Sequence, residues 1–428
     1  MRKSNANRVI ISFVALVVLA LGLGARTVSK AFGYAIFGKI YIWACVISAF
    51  IIAILLLAFL FENRINKGFR YFANYFSVKN RLEKQLIDAG FGIQRSYYIE
   101  LPKIILDFDK DYKTGTLNVR NTVKHDKRLD DVVLSSALGK FVVERHYLTH
   151  DENFYVYELL NYGTSFKLTF NSFEDFRRYS SNFGRYRLFL DDRSRVKLQS
   201  LILVGLTGSG KTYALYSLIL QMLHKKTRYE LYFADPKNSS LAVLGQSIDK
   251  ERTATSIEDI ILLLEDFVNE MHLRKKEMNV LLQDKLEADY SDFALSPHVF
   301  IIDEYAAFSA VIATRDKKTR DKVSALLHEV VLEGRQLGFF VFLVMQKSDA
   351  TLIDTAIREN VPLKIVFGQS GQQTYVTAFG TGVDIPNRHY DVGEGVFTEP
   401  TLAPQPKLVQ FPYLNFDILS GVFRTRVM

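Results

Sequence analysis

Gly205-Leu206-Thr207-Gly208-Ser209-Gly210-Lys211-Thr212 is a GxxxxGK[ST] run, a spacing that lets backbone N–H groups close around phosphate oxygens with no side chains in the way. Lys211 supplies a fixed positive charge for the β- and γ-phosphates of a nucleoside triphosphate, and Thr212 offers a hydroxyl to Mg2+. The helix expected after the loop aims its positive end at the same anion. Downstream, His298-Val-Phe-Ile-Ile-Asp303-Glu304 reads as a buried strand ending in two carboxylates. Alone, such an ending is a common strand-to-loop transition. Beyond a phosphate loop it reads as the second half of an ATP site, with Asp303 holding Mg2+ through water and Glu304 polarising the attacking water. ATP and Mg2+ are therefore the expected cofactors, and Thr212 and Asp303 the expected metal residues. Gln346 ends the next apolar run, where its amide would reach the γ-phosphate region; a strand-end cap is the plainer reading. Asp235-Pro236-Lys237 faces the same site with no task that the sequence assigns.

The elements that must hold these groups follow from hydropathy. Continuous apolar runs at 201–204, 231–234, 299–302, 340–345 and 363–367 read as strands buried on both faces. Long amphipathic helices lie between them. Ser256 caps one, with Glu258 and Asp259 in its first turn, and Ile260, Ile261, Leu264, Phe267, Val268 and Met271 then share a face. Such alternation implies a parallel sheet covered by helices. The expected fold class is α/β, a RecA-like P-loop ATPase over 196–428. A small mixed α/β domain at 99–195 precedes it, with β-rich runs at 103–108, 141–147 and 154–160 and no motif tied to chemistry. Residues 62–98 read as a basic juxtamembrane linker, with a helix over 69–89 that stops at Gly90.

Residues 1–61 read as a transmembrane hairpin, because 9–24 and 40–61 carry no charge. The second run has the roughly 20 residues that a spanning helix needs, with Tyr41 and Trp43 where interfacial aromatics belong. The first is short and would need little tilt or a thinned bilayer. A signal peptide with Arg2, Lys3 and Arg8 as its basic start is the alternative; the ATP site that follows argues against it. Arg64, Lys67, Arg70, Lys79, Arg81 and Lys84 against Glu62 and Glu83 place both ends in the cytoplasm, although Arg26, Lys30 and Lys39 in the intervening loop weaken that bias. The chain is then a multi-pass cell-membrane protein with a cytoplasmic ATPase. Its formal charge of +8 suits nucleic acid or acidic headgroups, or only topology. The 48% hydrophobic composition excludes a disordered chain, and one cysteine, Cys45, excludes a disulfide framework.

LILVGLTGSGKT, FADPKNSSL, HVFIIDEYAAF, EGRQLGFFVFLVMQK and IRENVPLKIVF, in this order and spacing, resemble the FtsK/SpoIIIE family of DNA-pumping ATPases over about 198–397. EGVF at 394–397 is similar to the family's closing turn. The resemblance implies nucleotide and Mg2+ binding by Lys211 and Thr212, hydrolysis by Asp303 and Glu304, and a sensor at Gln346. It also implies a trans-acting arginine at Arg335, in Gly-Arg-x-x-Gly, unless that residue serves a structural ion pair. Arg274 and Arg358 are further candidates for intersubunit or phosphate contacts. A homo-hexamer with DNA in its pore is implied as well. The sensor run is Met-Gln-Lys where Thr-Gln-Arg is usual. Two spans and a short soluble segment are similar to the coupling proteins of conjugative plasmids and integrative elements, with a relaxase and transfer-channel proteins as partners.

The leading expectation is thus a membrane-anchored DNA translocase serving conjugation. Chromosome partition, an ATP-switched docking platform and protein export are the alternatives. The basic stretch Arg315, Lys317, Lys318, Arg320 and Lys322 would lie near the DNA or, since Asp316 and Asp321 interrupt it, form a solvated helix start.

Overall fold

The computed structural model describes residues 3–95, 98–122, 134–346, 353–368, 370–380, 385 and 389–423. Arg2 and the sensor-run Lys347 lie outside these residues. The chain divides into two compact units, Met1–Thr164 and Ser165–Met428.

The first unit opens with two long helices, α1 (Lys3–Phe32) and α2 (Ala35–Glu62). Both are long and apolar enough to cross a membrane. Each outruns the uncharged stretch that marks it in the sequence. Arg26 and Lys30 lie in α1 and Lys39 in α2, where the sequence reading had placed them in a loop. Nothing between 25 and 32 breaks a helix, and only Gly33, at φ +73°, turns the chain. Small residues seat the two helices together, as apolar helices require when no hydrophobic effect separates them from lipid. Ala15, Ala44 and Ser48 are buried, and the Ser48 hydroxyl donates to the Ala15 carbonyl at 3.0 Å.

A short 3-10 turn leads to α3 (Phe69–Asp88), which buries Tyr71, Tyr75, Val78, Leu82 and Leu86 at helical spacing. They pack on an antiparallel sheet of β1 (Ile104–Phe108), β2 (Thr114–Arg120), β3 (Phe141–Leu148) and β4 (Phe154–Asn161), in the order β1-β2-β4-β3.

The second unit begins thirty residues before the 195/196 boundary read from the sequence. Phe170, Phe173, Phe176, Leu188 and Phe189 share one core with the strands and helices of the ATPase sheet. The buried Gln221 side chain locks this segment in place. Its amide oxygen accepts from Phe189 N at 2.9 Å, and its nitrogen donates to Phe189 O at 3.0 Å. Residues 165–195, which include α4 (Phe173–Ser181), thus belong with the motor fold.

The main sheet is built from β5 (Leu201–Gly205), β6 (Glu230–Ala234), β7 (Thr253–Ala254), β8 (His298–Ile302), β9 (Phe339–Met345), β10 (Leu363–Phe367), β11 (Glu394–Glu399) and β12 (Ala403–Gln410). Their order is β7-β6-β8-β9-β5-β10-β11-β12. Pairings from β7 to β10 are parallel; β11 and β12 close the edge antiparallel. The five expected strands are all present, each within a residue or so. α5 (Lys211–Leu223) follows β5, and α6 (Ser240–Ile248) follows β6. α7 (Ile257–Leu281) starts at Ser256, whose hydroxyl accepts from Asp259 N at 3.1 Å. α8 (Tyr305–Ala313) and α9 (Lys317–Leu337) join β8 to β9.

Candidate active site

β5 is buried along its whole length and ends at Gly205, where the chain must turn without a side chain. A Cβ on Gly205 would lie 2.8 Å from the Cβ of Phe367. Gly208 and Gly210 take φ +80° and +95°, the left-handed region that favours glycine. A Cβ on Gly210 would meet Gly393 N at 2.5 Å, and Gly393 N in turn donates to Ser209 O at 2.8 Å. The start of β11 therefore backs the loop. Leu206, Thr207 and Gly208 are exposed, Thr212 is exposed, and Lys211 is buried.

The carboxylate strand β8 does not touch β5: β9 runs between them. Register sets the levels, with Ile302 beside Leu343 and Val204 beside Met345. Gln346, the residue after β9, is exposed at the same carboxyl edge, between the loop and the acids. Asp303 N donates to Ala234 O at 2.9 Å, and its carboxylate accepts from Glu304 N at 3.0 Å. Burial pushes the Asp303 carboxyl up, against the Lys211 ammonium that favours its charge. Glu304 sits at φ +49°, uncommon for a residue with a side chain and a feature that clusters at functional sites.

The Glu304 carboxylate is gripped from two sides. Lys211 Nζ lies 3.6 Å from Oε1 and Lys237 Nζ lies 3.2 Å from Oε2. Lys237 comes from the Asp-Pro-Lys turn, whose geometry Asp235 fixes. That fully buried carboxylate accepts from Lys237 N, Ser239 N, the Ser239 hydroxyl and Ala242 N, at 2.7 to 3.2 Å. Asp235 is thereby an anchor, and Lys237 is the residue of this turn that reaches the site. Nothing in its sequence spacing announces that contact.

The arginines divide differently from expectation. Arg335 is exposed in the last turn of α9 and has no ion-pair partner among the described residues. It precedes β9, so it lies at the amino edge of the sheet. The seven residues of β9, roughly 3.3 Å each, separate it from its own phosphate loop. Arg274 is a structural group: it donates to Ser296 O at 3.2 Å and Leu337 O at 3.3 Å, pairs with Glu277 at 3.0 Å and lies over Phe339. Arg358 lies half-buried in α10 (Thr355–Asn360), away from the loop in sequence and held by no ion pair among the described residues. In the basic stretch, Asp316 caps α9, and Arg315 and Lys322 pair with Glu258 and Glu265 of α7. Lys317, Lys318 and Arg320 remain exposed.

The residues present fit a nucleotide and its metal. Ser209 Oγ is buried with no hydrogen-bond partner among the described residues, and the loop glycines hold conformations that turn N–H groups toward a phosphate. Thr212 and Asp303 are the groups that would hold a divalent cation.

A parallel sheet with a phosphate loop on its central strand, and a carboxylate pair two strands away, defines a P-loop ATPase domain. Residues 189–330 match the FtsK/SpoIIIE family model; the chain carries an FtsK/SpoIIIE domain. It is 29% identical over 184 residues to the FtsK domain-containing protein YdcQ of Bacillus subtilis, covering 43% of this chain and 37% of that protein. It is 24% identical over 200 residues to the DNA translocase FtsK of Halalkalibacterium halodurans, covering 44% of this chain and 25% of that one. The chain thus spans well under half the length of these relatives. Among solved structures, the pCW3 conjugation coupling protein TcpA shares the fold at a TM-score of 0.50 and 16% identity, over 82% of this chain and 99% of that one.

Proposed function

We propose that this protein is a membrane-anchored ATPase that moves DNA, acting as a coupling protein in conjugative transfer. The observation that carries the ATPase is the meeting of Lys211, Lys237, Glu304 and Gln346 at one sheet edge beside the phosphate loop. Bound ATP with Mg2+ supplies the phosphoanhydride whose cleavage drives movement. Lys211 turns from Glu304 to the phosphates, Glu304 orients and deprotonates water, and Gln346 reads the end of the triphosphate through its amide. Thr212 and Asp303 would hold the metal. Arg335, at the far edge of the sheet, serves a neighbouring copy in a ring, taken as a homo-hexamer. α1 and α2 cross the cell membrane and leave both soluble units in the cytoplasm. The DNA task is supported by the FtsK domain. The conjugative one is supported by the order of hairpin, small unit and motor, and by a shared fold with TcpA that extends beyond the second unit. Its partners there are a relaxase and the transfer channel.

The test is ATP hydrolysis by the full chain in nanodiscs, with and without DNA, with Lys211→Ala as the blank. DNA should stimulate hydrolysis, the stimulation should fade with salt as phosphate contacts are screened, and Glu304→Gln should abolish turnover while retaining ATP binding. Hydrolysis indifferent to DNA at low salt would sink the translocase reading.

A further inference from the structure

After α2 the chain turns sharply. Arg64 at φ +63° and Gly68 at φ +103° bracket the 3-10 turn Ile65–Lys67, and α3 starts at the next residue. The Phe72 and Phe76 rings of α3 lie 6.0 and 5.4 Å from the Phe59 ring, in the last turn of α2. A turn further along α3, Lys79 Nζ reaches Glu62 Oε1 at 3.4 Å. The backbones of α2 and α3 scarcely approach elsewhere. α3 therefore crosses the end of α2 rather than running back along it. Its buried face, from Tyr71 to Leu86, packs on the small sheet. Phe69, Phe72 and Phe76 form a separate strip at spacings of 3 and 4, with successive rings 6.2 and 6.0 Å apart. Phe69 is 76% exposed and Phe76 is exposed as well, so no side chain among the described residues covers the strip.

What covers it follows from the level at which it stands. The uncharged run of α2 ends at the exposed Phe61, and Glu62 follows. Arg8 of α1 pairs with Glu62, and its guanidinium lies 5.1 Å from the centroid of the Phe59 ring. Arg8, Glu62, Lys79 and the exposed Arg64 thus make a charged layer at the end of the apolar segment. In a bilayer that is where hydrocarbon gives way to headgroups. The strip meets α2 at Phe59, one turn inside that layer, at the depth that aromatic rings favour. We propose that α3 lies in the membrane plane with Phe69, Phe72 and Phe76 in the boundary between acyl chains and headgroups. The proposal rests on the spanning reading given above. The anchor is then a hairpin with a surface helix, and the small sheet on the buried face of α3 is held against the membrane in a fixed attitude.

Tryptophan fluorescence of the full chain in phosphatidylcholine nanodiscs tests this, with nitroxide-bearing lipid as the membrane quencher and acrylamide as the aqueous one. Trp43 of α2 is the chain's one tryptophan and reports the span. A nitroxide on the acyl chain should quench it; if it does not, the spanning reading fails and the proposal with it. In a Trp43→Phe background, Phe69→Trp should lose most of its emission to a nitroxide high on the acyl chain and little to acrylamide. Phe76→Trp should repeat that pattern. Tyr162→Trp, exposed in the same unit beside the Arg70 and Asn74 flank of α3, should lose its emission to acrylamide and keep it against the lipid quencher. Emission from Phe69→Trp and Phe76→Trp that follows acrylamide instead, or equal lipid quenching at all three positions, overturns the surface helix while leaving the span standing.

Discussion

Glu304 is held by two lysines, and only one of them has a reason to leave. On the proposed function a triphosphate draws Lys211 away, which leaves Lys237 as the cation on the carboxylate among the described residues. It then sets where Glu304 points. Lys237→Met should lower kcat on the order of tenfold, less than the roughly 10²–10⁴-fold that loss of the base itself costs, with little change in KM. Lys237→Arg should recover part of the loss; steady-state ATPase kinetics read both. Spacing in the sequence singles out Lys211, Asp303 and Glu304, because loop and strand end are local patterns, and the fold sets Lys211 beside Glu304. It could not supply the 3.2 Å contact of Lys237 with Glu304, which depends on β6 and β8 being neighbours. Arg274 shows the same limit in reverse. A charged residue on a helix looks available until the fold brings two carbonyls, a carboxylate and a ring to it.

Among the elements, the buried parallel strands were plain in the sequence because nothing interrupts their apolar runs. β12 was not. Its Ala-Pro-Gln-Pro start argues against a strand, and only its place at the sheet edge, paired on one side with β11, tolerates the prolines. The glycines of Gly-Arg-x-x-Gly have packing tasks. A Cβ on Gly334 would lie 2.3 Å from Phe339 O, and Gly338 ends α9 at φ +82° against the Tyr290 ring. Gly334→Ala should destabilise the second unit by about 1–3 kcal/mol, seen as a lower urea midpoint, while Gly184→Ala, with open space around it, should not. The end of α5 carries a pH response. The His224 ring lies 4.5 Å from that of Phe173 and tilted to it, its Nε2 lies 3.2 Å from Gly421 O, and burial pulls its pKa down to about 4. The unfolded chain takes up the proton first, so stability is complete above the ordinary pKa near 6.5 and falls as pH drops toward 4. Melting temperature should decline over that window, and His224→Gln should flatten the decline.

At the scale of the whole molecule, the boundary at Thr164 and Ser165 decides which fragments survive alone. A fragment of residues 165–423 keeps Phe170, Phe173, Phe176 and Phe189 with the core they belong to and should melt cooperatively by calorimetry. One that starts at 196 loses all four and should be insoluble or melt without a transition. The sequence put that border thirty residues late because short β-rich runs continue across it; only the shared core assigns them.

Arg335 lies at one edge of the sheet and the phosphate loop at the other, so a ring in which each arginine completes its neighbour's chemistry divides every catalytic centre between two polypeptides. Two different cripples can then repair one another. Arg335→Ala subunits still own a sound phosphate loop, and Lys211→Ala subunits still own a sound arginine. Mixed in equal amounts, the two inactive proteins should regain a fraction of wild-type turnover wherever the right faces meet, as neither does alone.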